Sequence, residues 1–533
     1  MVSAETADSS HHNDSDNDSG QDAEVPGFII LPHADLNEIK GIPYDRISLL
    51  GACNPDFPLY INGAEVQTTV NGYFSMYGTL IVGDNPFLFE NGGAVDELVV
   101  TRKIPEYTQP KPPNYFTEPT YGIAANTIIS RFYERDDDDN PGTPLIEGTV
   151  FQLIAEDDAK DGFYQLYDGS YVFKSSVEIL EEAGENTLYS VDLQEKTAIL
   201  TLYHFDAGEN QAQENDNQDT QNNDISEQHF KLTTETFEFP FKEGRTVTGY
   251  SVEIEEGKPT VRVQYALTDL SKATVLLDAG HGGKDPGALG PPGAFGLMEK
   301  DFNLIVAQKA RDYLENRDVN VIFLRDSDEH IPILERMENL AGSFDIGVSV
   351  HSNSMPMNKD FWSDEGPLMF YSMEHAEQAA SELLEYITAQ TGHAFSPAIL
   401  RNFGITRYTA APAMLLEMGY VCNPAEYERL ITPDYLDLLG ESLGEGIMRY
   451  LMDTVQEEFD GEDENENDET IEEETVAPAP ATQTPPERNP EIKSYTEPEI
   501  KHDKTSGVTG IEAAFLGLVA LGSIIRIGYE LKK

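Results

Sequence analysis

The stretch Val275–Gly290, VLLDAGHGGKDPGALG, runs from a short apolar strand into a turn that carries a histidine between glycines. The residues C-terminal to this turn decide the fold class. Phe302, Ile305, Val306, Ala310, Tyr313 and Leu314 recur at helical spacing. VNVIFLR then reads as a strand, IPILERMENLAG as a helix, and DIGVSV as another strand. A helix over Glu374–Thr391, the strand AMLLEM from Ala413, and closing helices to about Leu451 complete the pattern. Strands alternating with helices predict a mostly parallel sheet with helices on both faces, an α/β domain over 271–454.

In an open parallel sheet, side chains converge beyond the C-terminal strand ends. Four chemistry-bearing residues fall at or beside such places: His281 after the strand Thr274–Leu277, Glu299 before the helix, His351 after Ile346–Val350, and Glu417 after Ala413–Leu416. Two imidazoles and a carboxylate with an open fourth position make a catalytic zinc set, and a second carboxylate can act as general base or acid. Each residue alone has an ordinary reading. His281 reads as a turn histidine, Glu299 as an anion at a helix N-terminus, and His351 as a hydrogen-bonded strand-end histidine. Glu417 is the most conspicuous by itself, because a carboxylate closing so apolar a run is expensive without a partner or a task. Recurrence at three strand ends favours a shared function.

VLLDAGHGGKDPGALG, EKDFNL, VSVHSNS and PAMLLEMGYVCNPAEYERL, in this order and spacing, resemble the zinc-dependent N-acetylmuramoyl-L-alanine amidases of the Amidase_3 type over about Ala273–Leu451. The resemblance implies Zn²⁺ on His281, Glu299 and His351, Glu417 as catalytic acid/base, and peptidoglycan as substrate. Its scissile bond is the amide joining the lactyl group of N-acetylmuramic acid to L-alanine. Ala279 stands where the family often has proline. Some relatives carry a long inhibitory helix after the second histidine; here only a short loop separates His351 from the β pattern GPLMFYS. Gly280, Gly282 and Gly283 are expected to let backbone and substrate approach the metal. Asn353 and Asp285 are candidate substrate contacts, with a loop cap or the orientation of a ligand imidazole as further readings for Asp285. Cys422 reads as a small apolar filler and Arg325 as a structural ion-pair partner.

The remaining chain predicts a multi-domain protein in which two small all-β modules precede the catalytic domain. Residues 1–42 form an acidic tail, without the basic and apolar regions of a signal peptide. Short β-rich runs between Asn-Gly and Gly-Gly turns predict an Ig-like sandwich over 43–106, and a Pro-rich linker spans 107–117. An SH3-like β module occupies 118–270, interrupted by a polar insertion at 207–228. In its last hairpin, Tyr250, Val252 and Ile254 are expected to face Val261, Val263 and Tyr265. Residues 455–505 form an acidic and Pro-rich linker. In 506–533, an uncharged run of thirteen residues, Ala513–Ile525, lies ahead of Arg526, Lys532 and Lys533. That run is short of the ~20 residues a spanning helix needs, but snorkelling by Arg526 extends it, so a C-terminal membrane anchor is expected.

The net charge is −61, from 96 acidic against 35 basic residues, a field that repels nucleic acid and anionic surfaces. The two cysteines, Cys53 and Cys422, make no disulfide framework. Together these readings predict an exported, monomeric amidase on a bacterial cell surface. A wall-binding scaffold with an inactive amidase-like domain, or a zinc peptidase or esterase, is the competing reading.

Overall fold

The computed structural model describes residues 27–31, 38–104, 113–133, 141–157, 162–182, 186–206, 231–255, 258–291, 296–338 and 344–456. The expected N-terminal tail up to residue 26, the insertion at 207–228 and the C-terminal anchor lie outside these residues, as does the acidic linker from residue 457 onward. Among the described residues, no helix is long and apolar enough to cross a membrane.

Two sheets make the first β module. One orders Ile29–Ile30, Arg46–Cys53 and Tyr73–Thr79; the other has five strands, in the order Glu38–Ile42, Ala94–Arg102, Gly83–Asn91, Leu59–Ile61, Ala64–Val66. Side chains alternate along a strand, so Gly83–Asn91 buries every second residue and sends Phe87 and Phe89 into a core with Ile47, Leu49 and Phe74. Asn62 and Gly63 both take positive φ (50° and 77°), the backbone a tight hairpin needs. This module begins before residue 43, because Ile29 and Ile30 pair with Cys53 and Ala52 and Leu31 is buried.

The second strand-rich region opens with Asn114–Ala124, which begins inside the stretch read as a spacer. It contains a five-stranded sheet, the three strands Tyr189–Leu193, Thr197–Asp206 and Lys231–Pro240, and the hairpin Val247–Glu255/Lys258–Tyr265. Tyr250 faces Val263 and Val252 faces Val261 as the alternation predicts, while Ile254 meets Pro259 and Tyr265 meets Val247.

The α/β domain contains β1 (Thr274–Ala279), α1 (Glu299–Glu315), β2 (Asn320–Phe323), α2 (Ile333–Glu338), β3 (Ile346–Asn353), β4 (Leu368–Tyr371), α3 (Glu377–Thr391), β5 (Ile399–Leu400), β6 (Ala413–Tyr420), α4 (Pro424–Leu430) and α5 (Pro433–Thr454). The sheet order is β2-β1-β3-β6-β4-β5, parallel except where β4 runs against β6. Alternate residues of β1 serve opposite faces. Val275, Leu277 and Ala279 join Phe302, Val306 and Leu314 of α1, Leu383 of α3 and Leu443 of α5 in the main core. Leu276 points the other way, to Phe344, Ile405, Tyr408 and Ala411. On that second face the described part of α2 has six residues, and Ile405, Tyr408 and Ala411 supply further cover.

β3 and β6 run past the ends set by their apolar runs, to Asn353 and Tyr420. His351 and Glu417 therefore stand inside their strands as direct neighbours in register. Glu299 is the first residue of α1, one step inside the helix.

Candidate active site

The turn after β1 holds His281 in the left-handed region, φ 60°, a conformation that histidine enters several-fold more readily than most residues. The backbone there is held from behind by two buried arginines. Arg336 of α2 pairs with Asp278 and donates to the carbonyls of Ala279 (2.8 Å) and Ile331 (3.0 Å) and to that of His281. Arg325 donates to the carbonyls of Ala279 (2.8 Å), Gly280 (3.0 Å), Ser327 (2.9 Å) and Lys300 (3.0 Å). Arg325 thus clasps carbonyls in place of the ion pair expected of it. Ser349 Oγ donates to Asp278 at 2.6 Å, completing the buried Asp278–Arg336 pair. Arg336→Ala strands the Asp278 carboxylate in the interior and frees the His281 turn. A loss of about 3–5 kcal/mol is expected, read as a lower denaturation midpoint with an unchanged slope.

His281, Glu299 and His351 each offer one donor atom, and the three lie within 4.8 Å of one another. Glu299 Oε1 is 3.0 Å from His281 Nε2 and 3.0 Å from His351 Nδ1. The two rings stand at 79° with centroids 4.9 Å apart. The other Glu299 oxygen accepts from the Ala288 N–H at 2.7 Å, and Oε1 also accepts from the Ser352 N–H at 3.2 Å. The other His281 nitrogen, Nδ1, meets Asp285 Oδ2 at 3.1 Å, an arrangement that fixes which nitrogen faces Glu299. Asp285 Oδ1 also accepts from the Gly287 N–H at 3.3 Å, so the carboxylate both orients the imidazole and caps the loop. Asn353 is buried, with its Oδ1 on the Ser354 N–H at 2.7 Å. Cys422 sits buried against Met355 and Phe361, and burial pushes its thiol up to about 11, as suits a filler.

Electrostatics tie the cluster together. Burial pulls His281 down, but Glu299 and Asp285 outweigh it and raise the imidazole to about 10. Burial alone would raise Glu299; the two imidazoles bring it far below the usual carboxylate range. Glu417 moves the opposite way, well above its ordinary value, through burial first and the Glu299 charge second. It is 4% exposed, and its Oε2 is buried with no hydrogen-bond partner among the described residues. A buried acceptor with nothing to accept from is costly. Here it stands beside a donor set of two imidazoles and a carboxylate, the composition of a catalytic zinc centre with an open position. These residues fit a divalent metal.

The glycines allow close approach within the protein. A Cβ on Gly280 would lie 2.3 Å from the His351 ring, and one on Gly282 would lie 2.0 Å from the Glu329 carbonyl. The space they leave is filled by the protein itself, which packs the second histidine and a backbone segment against the turn. Sequence reasoning also passed over Asn303 and Arg336. Fully buried Asn303 donates to the Gly280 carbonyl (3.3 Å) and accepts from Ser352 Oγ (3.2 Å). A polar residue one helical turn after Glu299, on the apolar face of α1, was the available signal. Arg336 gave none, because the carboxylate of Asp278 and the turn carbonyls it binds lie more than fifty residues away.

Residues 275–449 match a family model described as N-acetylmuramoyl-L-alanine amidase. The germination-specific N-acetylmuramoyl-L-alanine amidase of Bacillus subtilis is 30% identical over 201 residues, covering 34% of this chain and 81% of that protein. A probable cell wall amidase of Staphylococcus saprophyticus is 27% identical over 181 residues, covering 34% and 59%. The solved catalytic domain of an N-acetylmuramoyl-L-alanine amidase from Bacillus (Paenibacillus) polymyxa is 30% identical over 34% of this chain and 99% of its own, with a TM-score of 0.31.

Proposed function

Since the chain belongs to the N-acetylmuramoyl-L-alanine amidase family, we propose that it is a zinc-dependent hydrolase that releases stem peptides from peptidoglycan at the bond between the lactyl carbonyl of N-acetylmuramic acid and L-alanine. The observation that carries this reading is the convergence of His281, Glu299 and His351 within 4.8 Å, with Glu417, whose Oε2 is buried without a hydrogen-bond partner among the described residues, beside them. His281 would bind through Nε2, held by Asp285 on Nδ1; His351 would bind through Nδ1, and Glu299 through Oε1. Bound there, zinc supplies a Lewis acid for the carbonyl and lowers the pKa of a bound water to about 7. Glu417 takes the proton of the attacking water and returns it to the leaving amine of L-alanine. In the metal-free protein, burial and the nearby Glu299 charge raise its proton affinity. Asn353, near the end of β3 beside His351, is a candidate contact for the glycan or peptide.

A cell-surface location follows from the substrate, and the cell wall amidase among the relatives supports it. Digestion of purified sacculi tests the reading. The expected result is new free L-alanine amino groups and glycan strands carrying intact lactyl carboxylates, both abolished by a chelator and restored by zinc. Cleavage elsewhere in the stem peptide would make the protein a zinc peptidase. Zinc binding without any cleavage would make it a scaffold.

A further inference from the structure

The N-terminal β-sandwich is mounted on the catalytic edge of the sheet. β3 and β6 both leave the sheet at the end where His351 and Glu417 stand, and the segments after them both run onto the same small sheet of the sandwich. After β3 comes the loop 354–363. Its backbone accepts three hydrogen bonds from the sandwich: Ser48 N–H to the Met357 carbonyl (2.6 Å), Ser48 Oγ to the Lys359 carbonyl (2.5 Å) and Tyr77 O–H to the Asn358 carbonyl (3.0 Å). It returns one, from Trp362 Nε1–H to the Ser75 carbonyl (2.9 Å). Met357 packs on the sandwich core, and Leu50 of the sandwich packs with Met355, Phe361 and Cys422. After β6 comes α4, where Tyr427 meets Tyr73 edge to face at 5.1 Å and Glu428 accepts from the Asn71 backbone and side chain (3.1 and 2.6 Å).

A module that only tethers or spaces has no need to fasten these two segments. Carbonyls 357, 358 and 359 are three consecutive acceptors bonded across the interface, and a loop without its own helix or strand gains its fixed path from such bonds. We propose that the sandwich is part of the substrate-binding cleft. It holds the 354–363 loop as a rigid rim beside the catalytic residues, and that rim binds the peptidoglycan strand beyond the scissile amide. The inference rests on the amidase reading and adds to it a surface for polymeric substrate. A single muropeptide, which does not extend past the reacting centre, has no use for the rim.

Trp362 is the chain's one tryptophan, so its emission reports the interface directly. Two full-chain variants release the loop by different means. Ser48→Ala/Tyr77→Phe removes two donors, and Leu50→Glu places a charge against Met355 and Phe361. In both, Trp362 emission is expected to shift to the red while zinc content is unchanged. KM for sacculus fragments is expected to rise about tenfold, the effect of one to two net hydrogen bonds, with kcat on a single muropeptide as in the wild type. Unchanged KM on the polymer in both variants overturns the proposal, and so does a rise in turnover, which would make the loop an obstruction. A wild-type protein inactive on both substrates sinks the amidase reading instead, a result distinct from either.

Discussion

Glu417→Gln is expected to lower amide hydrolysis by about 10²–10⁴-fold, the range a positioned general base or acid supplies, while leaving the bound metal in place. Glutamine keeps the shape of the side chain, exchanges one carboxylate oxygen for an NH2 group and cannot accept the proton. Its stability effect has the opposite sign. Because burial and the Glu299 charge raise Glu417 above its ordinary value of 4.5 in the folded metal-free protein, the folded state binds more protons than the unfolded one above that pH. Stability is then lost as pH rises from 4.5 toward the raised value. The glutamine variant escapes this loss, so in the metal-free state it is the more stable protein at neutral pH, and the difference closes at and below about pH 4. Paired denaturation curves at two pH values and a sacculus assay measure both halves. A variant that hydrolyses peptidoglycan at the wild-type rate excludes Glu417 from the chemistry.

His351→Ala is expected to abolish metal retention along with activity, because it removes one of the three proposed protein donors. Asp285→Asn, which touches the centre through His281 alone, is expected to weaken binding by the about 10–100-fold typical of an outer hydrogen-bond partner. The charge on His281 adds a pH dependence. Glu299 and Asp285 hold the metal-free imidazole protonated up to about pH 10, and a protonated ring cannot donate to a metal. Zinc binding is therefore expected to displace a proton below that pH, with an apparent affinity that falls by about tenfold for each unit of pH lost. Calorimetry in two buffers of different ionisation enthalpy reads the released proton. Equal heats in both would mean that the imidazole is already neutral, and zinc bound at full strength to His351→Ala would place the metal elsewhere.

The four principal residues are legible in the sequence because each belongs to a pattern that is local along the chain. For His281, His351 and Glu417 that pattern is an apolar strand run that ends just before them; for Glu299 it is the acidic residue that opens the helix pattern. Pattern sets such boundaries only loosely, so it puts His351 and Glu417 at strand ends, whereas the pairing of β3 with β6 carries both strands beyond them. The alternation in Val247–Glu255 and Lys258–Tyr265 likewise predicts the register of Val252 with Val261, since a one-residue slip would turn every side chain to the wrong face.

The chain by itself determined the alternation of strand and helix, the kinds of side chain delivered to the crevice, and thereby the chemistry open to them. The tertiary structure alone decided what supports that crevice. Arg336 on Asp278 and the turn carbonyls, Asn303 on Gly280, His351 in the space beside Gly280, and the first β module against the loop after β3 all join residues far apart in sequence. Their partners are mostly backbone carbonyls, which every residue carries, so no side-chain pattern marks them. They exist only once folding has removed water from the groups that must then satisfy one another.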